Sequence, residues 1–256
     1  MREDELTLFC LDIGNTSTGF GVYRNGKFVK TGHARSDRFP SIMDKMIRNM
    51  SNDPTIHIIV SSVVPSPTLK IKKWLRGDVA GKRLFVVGGN CRVRIKHKYH
   101  NIDKLGSDRL VNAFGAMKIY GPPLLIFDYG TALTCDYISS RGAFEGGLII
   151  PGPEIALKAL SEKAALLPSI RFPKKAGFIG RDTRSGMEAG ILQGYGALTD
   201  GLVERFGKRF GRKSRVIATG GLAALISRYS SKIDLVDPLL TLKSLVLVFK
   251  DRAKTS

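Results

Sequence analysis

Two short segments of the sequence place a carboxylate, a glycine and a hydroxyl in the same order. The first segment is Asp12 to Thr16 and the second is Asp128 to Thr134. A glycine lets backbone amides approach an anion, and a hydroxyl beside it can donate a hydrogen bond to phosphate. One copy alone is equally well explained by an acid that caps a turn. Two copies, nearly half the chain length apart, predict a pair of phosphate-binding loops.

A third glycine turn, Thr219-Gly220-Gly221, joins a predicted strand to a predicted helix. Glycines at such a turn would let an adenine or a ribose lie flat against the backbone. The signal is weak by itself, because any strand-to-helix turn can use two glycines.

Asp108 and Arg109 follow Gly106 and Ser107 at the predicted start of a helix. An acid in the first turn of a helix is stabilised by the helix dipole whatever its function. The dipole predicts a low pKa for Asp108 and hence a weak base, which phosphoryl transfer tolerates because it needs a positioned nucleophile most. Arg109 can bind a substrate carboxylate as a bidentate fork or form an adjacent salt bridge.

The elements that must position these residues repeat in the two halves of the chain. The first half opens with an apolar strand at 6–12, and Asn25-Gly26 then predicts a hairpin within a β-meander. The second half opens with an apolar strand at 124–128, and two more strands follow through Ile150. Further strands are predicted at 56–64, 84–87 and 215–218, and helices at 41–50, 68–76, 107–120 (with Ser107 as its N-cap), 154–166, 182–206 and 240–249.

Composition is that of a globular protein of 256 residues, with 43% hydrophobic and 25% charged residues. No apolar run is long enough to cross a bilayer and the acidic N-terminus is unlike a signal peptide, so we expect no membrane partner and a cytoplasmic location. The three cysteines have no metal-binding or disulfide spacing, and no histidine is assigned as a ligand.

The net charge of +19 is the outlier in the composition. It would attract nucleic acid, but the basic residues are scattered, so we expect such binding to be weak and nonspecific at most.

Taken together, the motifs resemble the superfamily of acetate and sugar kinases, heat-shock proteins and actin. Within it, the chain resembles the type III pantothenate kinases from Leu6 to about Phe249. Besides the two acid loops and the Thr219 to Gly221 turn, the matching motifs are Ser61-Ser62-Val63-Val64-Pro65, Gly106-Ser107-Asp108-Arg109, Gly146-Gly147 with Pro151-Gly152, and Gly180-Arg181-Asp182-Thr183.

The resemblance implies an α/β fold of two actin-like (ribonuclease H-like) domains, at 1–120 and 121–256, that arose by internal duplication and enclose a cleft. It also implies the ATP-dependent phosphorylation of pantothenate to 4'-phosphopantothenate, the first step of coenzyme A biosynthesis. The partners that it implies are ATP, pantothenate and a second copy of the chain in a homodimer.

Site residues are implied by the same resemblance. Asp108 matches the catalytic base. Asp12 matches a magnesium ligand, and Asp128 matches the ligand of a monovalent cation, potassium or ammonium. The residues implied to bind ATP are Asp12, Gly14, Asn15, Thr16, Thr131 and Gly220. Those implied to bind pantothenate are Tyr99, Gly106, Ser107, Arg109 and Thr183.

The chain departs from the family pattern at Ser107, Ile102, Leu133, Ala164 and Ser244, none of which removes an acid or a phosphate-loop glycine. Two other functions stay open at this point. The charge of +19 allows a nucleic-acid-binding regulator, although such a protein would not need Asp12, Asp108 and Asp128. A kinase for a different polyol or acid is also open, because one fold supports many substrates.

Overall fold

The computed structural model describes residues 6–36, 56–63, 83–211 and 213–253. The helices predicted at 41–50 and 68–76, and Val64 and Pro65 of the serine motif, lie outside these ranges. Within them, the strands are β1 Thr7–Ile13, β2 Ser17–Arg24, β3 Lys27–Arg35, β4 Ile56–Ser62, β5 Arg83–Val86, β6 Lys96–His97, β7 Leu124–Tyr129, β8 Ala132–Ile138, β9 Ala143–Pro151, β10 Arg215–Thr219 and β11 Leu235–Val236. The helices are α1 Ser107–Tyr120, α2 Pro153–Lys163, α3 Thr183–Phe210, α4 Ala223–Ile226 and α5 Leu240–Ala253, with a short 3-10 turn at Ile102–Lys104.

The chain divides into two compact units. The first comprises Met1–Ile95, His100–Lys118 and Leu240–Ser256, and the second comprises Lys96–Tyr99 and Ile119–Leu239. These units differ from the predicted domains, 1–120 and 121–256, because α5 packs on β1, β2 and β4 of the first sheet. They differ again at Lys96–Tyr99, because β6 pairs with β9 of the second sheet.

The first unit is built on a five-stranded sheet in the order β3-β2-β1-β4-β5. β1, β2 and β3 are antiparallel neighbours, whereas β1, β4 and β5 are parallel. The predicted hairpin turn is confirmed, since Asn25 and Gly26 both have positive φ, at 50° and 78°. Alternate residues of β1 (Phe9, Leu11 and Ile13) join β2 and β4 side chains in one core cluster.

The second unit repeats this arrangement. Its six-stranded sheet has the order β11-β10-β7-β8-β9-β6, so β7 has an antiparallel pair on one side and two parallel strands on the other, as β1 does. Among the strands that the structure describes, β6 is the one addition to the pattern. The shared strand order supports the internal duplication predicted from the two acid loops.

Most predicted elements are confirmed, with shifted ends. α3 runs to Phe210, four residues beyond the prediction, and ends at Gly211 in the left-handed conformation, with φ 66°. The prediction that Ser107 caps α1 was wrong, because Ser107 is already helical and its hydroxyl bonds to Ser62 of β4. β6, β11, α4 and the 3-10 turn were not predicted. None of the helices within the described ranges is long and apolar enough to cross a membrane.

Candidate active site

The two acids that end the central strands occupy equivalent positions in the two sheets. Asp12 of β1 lies opposite Gly19 of the antiparallel neighbour and opposite Ser61 of the parallel neighbour. Asp128 of β7 likewise lies opposite Thr134 and Thr219. Both carboxylates are half-buried and each precedes an exposed turn. Equivalent register gives each sheet one acid beside a hydroxyl residue of its parallel neighbour, Ser61 in the first sheet and Thr219 in the second.

The turn after Asp12 is tight. The amide of Gly14 donates to the carbonyl of Ser17 at 3.0 Å, and the Ser36 hydroxyl donates to the carbonyl of Gly14 at 2.7 Å. A Cβ atom at Gly14 would lie 2.9 Å from the Ser17 oxygen, too close for any other residue. Asn15 and Thr16 are exposed at the tip, where they can donate hydrogen bonds to an anion.

The turn after Asp128 is closed in a similar way. The amide of Gly130 donates to the carbonyl of Ala132 at 3.2 Å, which leaves Thr131 exposed. Gly152 lies directly under the carbonyls of Gly130 and Thr131, where a Cβ atom would collide with both. The Pro151-Gly152 motif therefore packs against the backbone of the second loop.

Gly220 brings the third glycine turn against the second acid. It follows Thr219, has φ 89°, and leaves no room for a Cβ atom beside the Asp128 carboxylate and the backbone of Tyr129. Gly221 has open space where a side chain would be. The structure therefore brings Asp128 and Gly220 together within the second unit.

Asp108 lies in the first turn of α1, with its Oδ1 accepting a 2.8 Å hydrogen bond from the amide of Arg109. Burial raises the pKa of the Asp108 carboxyl, while the amide and the charge of Arg109 oppose the shift. The prediction of a low pKa was wrong because desolvation outweighs the helix end and the arginine. A raised pKa makes Asp108 a stronger base than the sequence indicated.

The neighbours of Asp108 hold it in place. A Cβ atom at Gly106 would lie 2.5 Å from Asp108 Oδ1 and 3.6 Å from Val63 Cγ1, so glycine makes room for the carboxylate. Arg109 is buried at 6% exposure. Ser107 is hydrogen-bonded to both Ser61 and Ser62 at the end of β4. Ser61 belongs to a motif that sequence analysis recognised without assigning it a role.

The other two side chains implied to bind pantothenate, Tyr99 and Thr183, belong to the second unit. Tyr99 belongs to the second unit, where its ring packs on Phe144 at 5.9 Å and Lys98 forms a 2.7 Å salt bridge with Glu145. The edge strand β6 that anchors this segment was missed, since two residues carry no periodicity. Thr183 is the exposed first residue of α3, after the N-cap Asp182.

Two departures from the family pattern lie in packing positions, and a third lies at the end of a helix. Leu133 is fully buried in the core of the second unit. Ser244 of α5 is fully buried against Gly115 of α1, where a Cβ atom at Gly115 could not fit. Ala164 is the C-cap of α2.

The family model for type III pantothenate kinase matches residues 8–205 of this chain. The chain belongs to the type III pantothenate kinase family. The type III pantothenate kinase of Bacillus cytotoxicus is 38% identical over 254 residues, which cover 96% of this chain and 97% of that one. The chain is accordingly a kinase that uses ATP to phosphorylate pantothenate, a step of coenzyme A biosynthesis.

Solved structures show the same fold at low sequence identity. A conserved candidate Baf family transcriptional activator from Campylobacter jejuni is 18% identical, with a TM-score of 0.61 over 96% of this chain and 99% of that one. An archaeal actin homologue is 15% identical, with a TM-score of 0.50 over 98% of this chain and all of that one. These likenesses confirm the predicted actin-like α/β fold for this pantothenate kinase family member.

Proposed function

We propose that Asp108 is the catalytic residue of pantothenate phosphorylation in this chain. The observation that carries the proposal is the half-buried carboxylate at the start of α1, fixed by the Arg109 amide and raised in pKa by burial. Such a group can accept a hydrogen bond from the primary hydroxyl of pantothenate and orient it for in-line attack. As the new oxygen–phosphorus bond forms and the bond to the ADP leaving oxygen breaks, the hydroxyl proton passes to Asp108.

The phosphates of ATP are assigned to the exposed loop tips. In the first unit, Asn15 and Thr16, beside the tight turn at Gly14, would contact phosphate oxygens. In the second unit, Thr131 would do so, and the turn at Gly220, with open space beside Gly221, would accommodate the nucleoside. Both loops expose donors next to a glycine held in a tight turn, which is the arrangement that phosphate favours.

Asp12 fits a magnesium ion that arrives with ATP. Magnesium usually binds through one or two carboxylates together with substrate phosphates and waters. Among the described residues, no group of three His, Cys, Asp or Glu side chains could form an all-protein metal cage. A single carboxylate at the edge of the phosphate loop suits the first arrangement. When bound, the ion would neutralise charge on the phosphate oxygens.

Asp128 is assigned to a monovalent cation, potassium or ammonium. Its Oδ1 lies against Gly220 and the main chain of Tyr129, next to the second phosphate loop. A half-buried carboxylate supplies oxygen ligands and is stabilised by a nearby positive charge. The cation would add positive charge near the site assigned to ATP.

Pantothenate is assigned to Tyr99, Arg109 and Thr183, with Gly106 and Ser107 contributing through the backbone. Arg109 could bind the pantothenate carboxylate with its planar guanidinium. The packing of Tyr99 on Phe144 would hold that ring ready for the substrate.

A homodimer is assigned from the family and from exposed apolar side chains of the second unit. Leu166 is 95% exposed and Phe178 is 81% exposed. Large apolar side chains with this much exposed surface are candidates for an interface, and a second copy of the chain is the partner that we assign. Light scattering after gel filtration should give twice the chain mass, and Phe178→Asp should lower it.

One assay tests the proposed function. ADP release is measured with purified protein and ATP, with and without pantothenate. Release should depend on pantothenate in the parent chain and disappear in Asp108→Asn. The matched control is Asp103→Asn, which changes an exposed acid five residues earlier and should retain turnover. Near-normal turnover in Asp108→Asn would remove Asp108 from the mechanism.

A further inference from the structure

Three serines form a compact hydrogen-bonded cluster in the first unit. Ser61 and Ser62 end β4, and Ser107 begins α1. The Ser61 and Ser107 hydroxyls are 2.9 Å apart, the Ser62 amide donates to the Ser107 hydroxyl at 3.1 Å, and that hydroxyl donates to the Ser62 carbonyl at 3.2 Å.

The Ser107 hydroxyl is fully used by this cluster. A hydroxyl has one hydrogen to donate and two lone pairs to accept. Ser107 accepts from the Ser62 amide, and when it donates to the Ser62 carbonyl the Ser61 hydroxyl is the donor in the bond between the two serines. The side chain therefore has no remaining capacity for a substrate.

The cluster joins the segments that carry the two acids of the first unit. Ser61 lies directly opposite Asp12 in the parallel pairing of β1 with β4. Ser107 is the residue before Asp108. Ser61 is fully buried, so its hydroxyl cannot exchange this bond for one to water.

Among its described residues, the second unit has no equivalent link at the counterpart of Ser61. Thr219 is the counterpart of Ser61, opposite Asp128, but it is followed by Gly220 and leads into α4. The hydrogen bonds between Ser107, at the start of α1, and the end of β4 are thus a feature of the first unit, which also contains Asp108.

We propose that Ser61 and Ser107 are positioning residues, whose hydroxyl bond fixes the separation between the Asp12 loop and the carboxylate of Asp108. This inference rests on the proposed role of Asp108. A displacement of about 1 Å at a reacting group can reduce a rate by up to about 100-fold. Loss of the bond should therefore lower kcat, while the Michaelis constant for ATP stays unchanged.

The test compares Ser61→Ala, Ser107→Ala and the double variant in the ADP-release assay. Each single variant should lower kcat about tenfold, and the double variant should be no slower than either, because all three lack the same bond. Ser107→Thr, which keeps a hydroxyl, should restore most of the turnover. The matched control is Ser244→Ala, since Ser244 is also buried in the first unit but its hydroxyl donates within α5, to the carbonyl of Leu240.

The inference is overturned if both single variants keep kcat within about twofold of the parent, if their losses add in the double variant, or if Ser244→Ala loses as much. Unfolding in urea, measured on the same samples, separates a rate effect from loss of folded protein. Absence of pantothenate-dependent turnover in the parent chain would overturn the proposed function and this inference together. Normal parental turnover with unaffected serine variants overturns this inference alone.

Discussion

The phenol of Tyr120 donates a 2.6 Å hydrogen bond to Oδ2 of Asp237. The chain leaves the first unit after Lys118 and re-enters it at Leu240. Tyr120 and Asp237 lie close to these two points, so their hydrogen bond joins the two ends of the segment Ile119–Leu239. Asp237 Oδ1 also accepts from the amide of Leu239 at 3.1 Å. The guanidinium of Arg215 lies over the Tyr120 ring, 5.2 Å from its centroid.

We therefore expect Tyr120→Phe to lower the free energy of unfolding by about 1 kcal/mol, the value of a partly exposed hydrogen bond to a charged group. The ring and its contact with Arg215 are kept, so only the bond is lost. Urea unfolding measures the change. In an Asp237→Ala background the same substitution should cost nothing further, and an equal cost there would show that the bond is not the cause.

Asp108→Asn is expected to stabilise the folded chain at neutral pH. Burial raises the pKa of the Asp108 carboxyl above its value in the unfolded chain. Protonation therefore favours the folded state, and this contribution is present below the unfolded pKa of about 3.9 and is lost as the pH rises through the folded pKa. At pH 7.5 the ionised carboxylate costs stability, which asparagine avoids.

Urea unfolding at pH 7.5 and at pH 4.5 checks this sign. The gain in unfolding free energy should be larger at pH 7.5. Asp182→Asn is a control of opposite sign, because hydrogen bonds from Ser185 lower the pKa of Asp182 and its carboxylate form is the stabilising one. A less stable Asp108→Asn at pH 7.5 would contradict the expectation.

Gly220→Ala should disrupt the second unit, whereas Gly221→Ala should not. Alanine at φ 89° costs about 1–2 kcal/mol, and its Cβ atom would also collide with Asp128 and Tyr129. Gly221 has space for a methyl group. Thermal unfolding and the Michaelis constant for ATP separate the two variants. Equal stability in both would mean that the turn adjusts freely.

Turnover should depend on a monovalent cation. Replacing potassium chloride with tetramethylammonium chloride, at constant ionic strength and magnesium, should raise the Michaelis constant for ATP and lower kcat. Ammonium should restore both, since it is small enough to bind carboxylate and carbonyl oxygens. If neither quantity changes, Asp128 must be reassigned to magnesium or to structure.

Local patterns predicted most of the fold. Apolar strands such as Leu124–Tyr129 and the Asn25-Gly26 turn are determined by neighbouring residues, so they could be recognised directly. The edge strand Lys96–His97 and the placement of α5 on the first sheet depend on contacts distant in sequence, which periodicity does not encode.

The sequence predicted where the acids and glycines of the candidate site lie along the chain, but not the electrostatics of the site. The duplicated acids and their glycines follow from spacing. The pKa shift of Asp108 was predicted with the wrong sign, because burial depends on how α1 packs in three dimensions. The saturated Ser107 hydroxyl likewise depends on β4, which lies 45 residues earlier in the chain.

The packing of α5 on the first sheet has a consequence for synthesis. The rings of Phe85 and Phe249 meet edge to face at 5.1 Å, and Leu240, Leu245 and Phe249 are buried. A ribosome translates β1 long before α5. The part of the first sheet that α5 covers therefore stays exposed until the second unit has been synthesised. A chain that ends before position 240 would therefore lose the fold of the first unit, although most of that unit is synthesised first, and would keep the second unit folded.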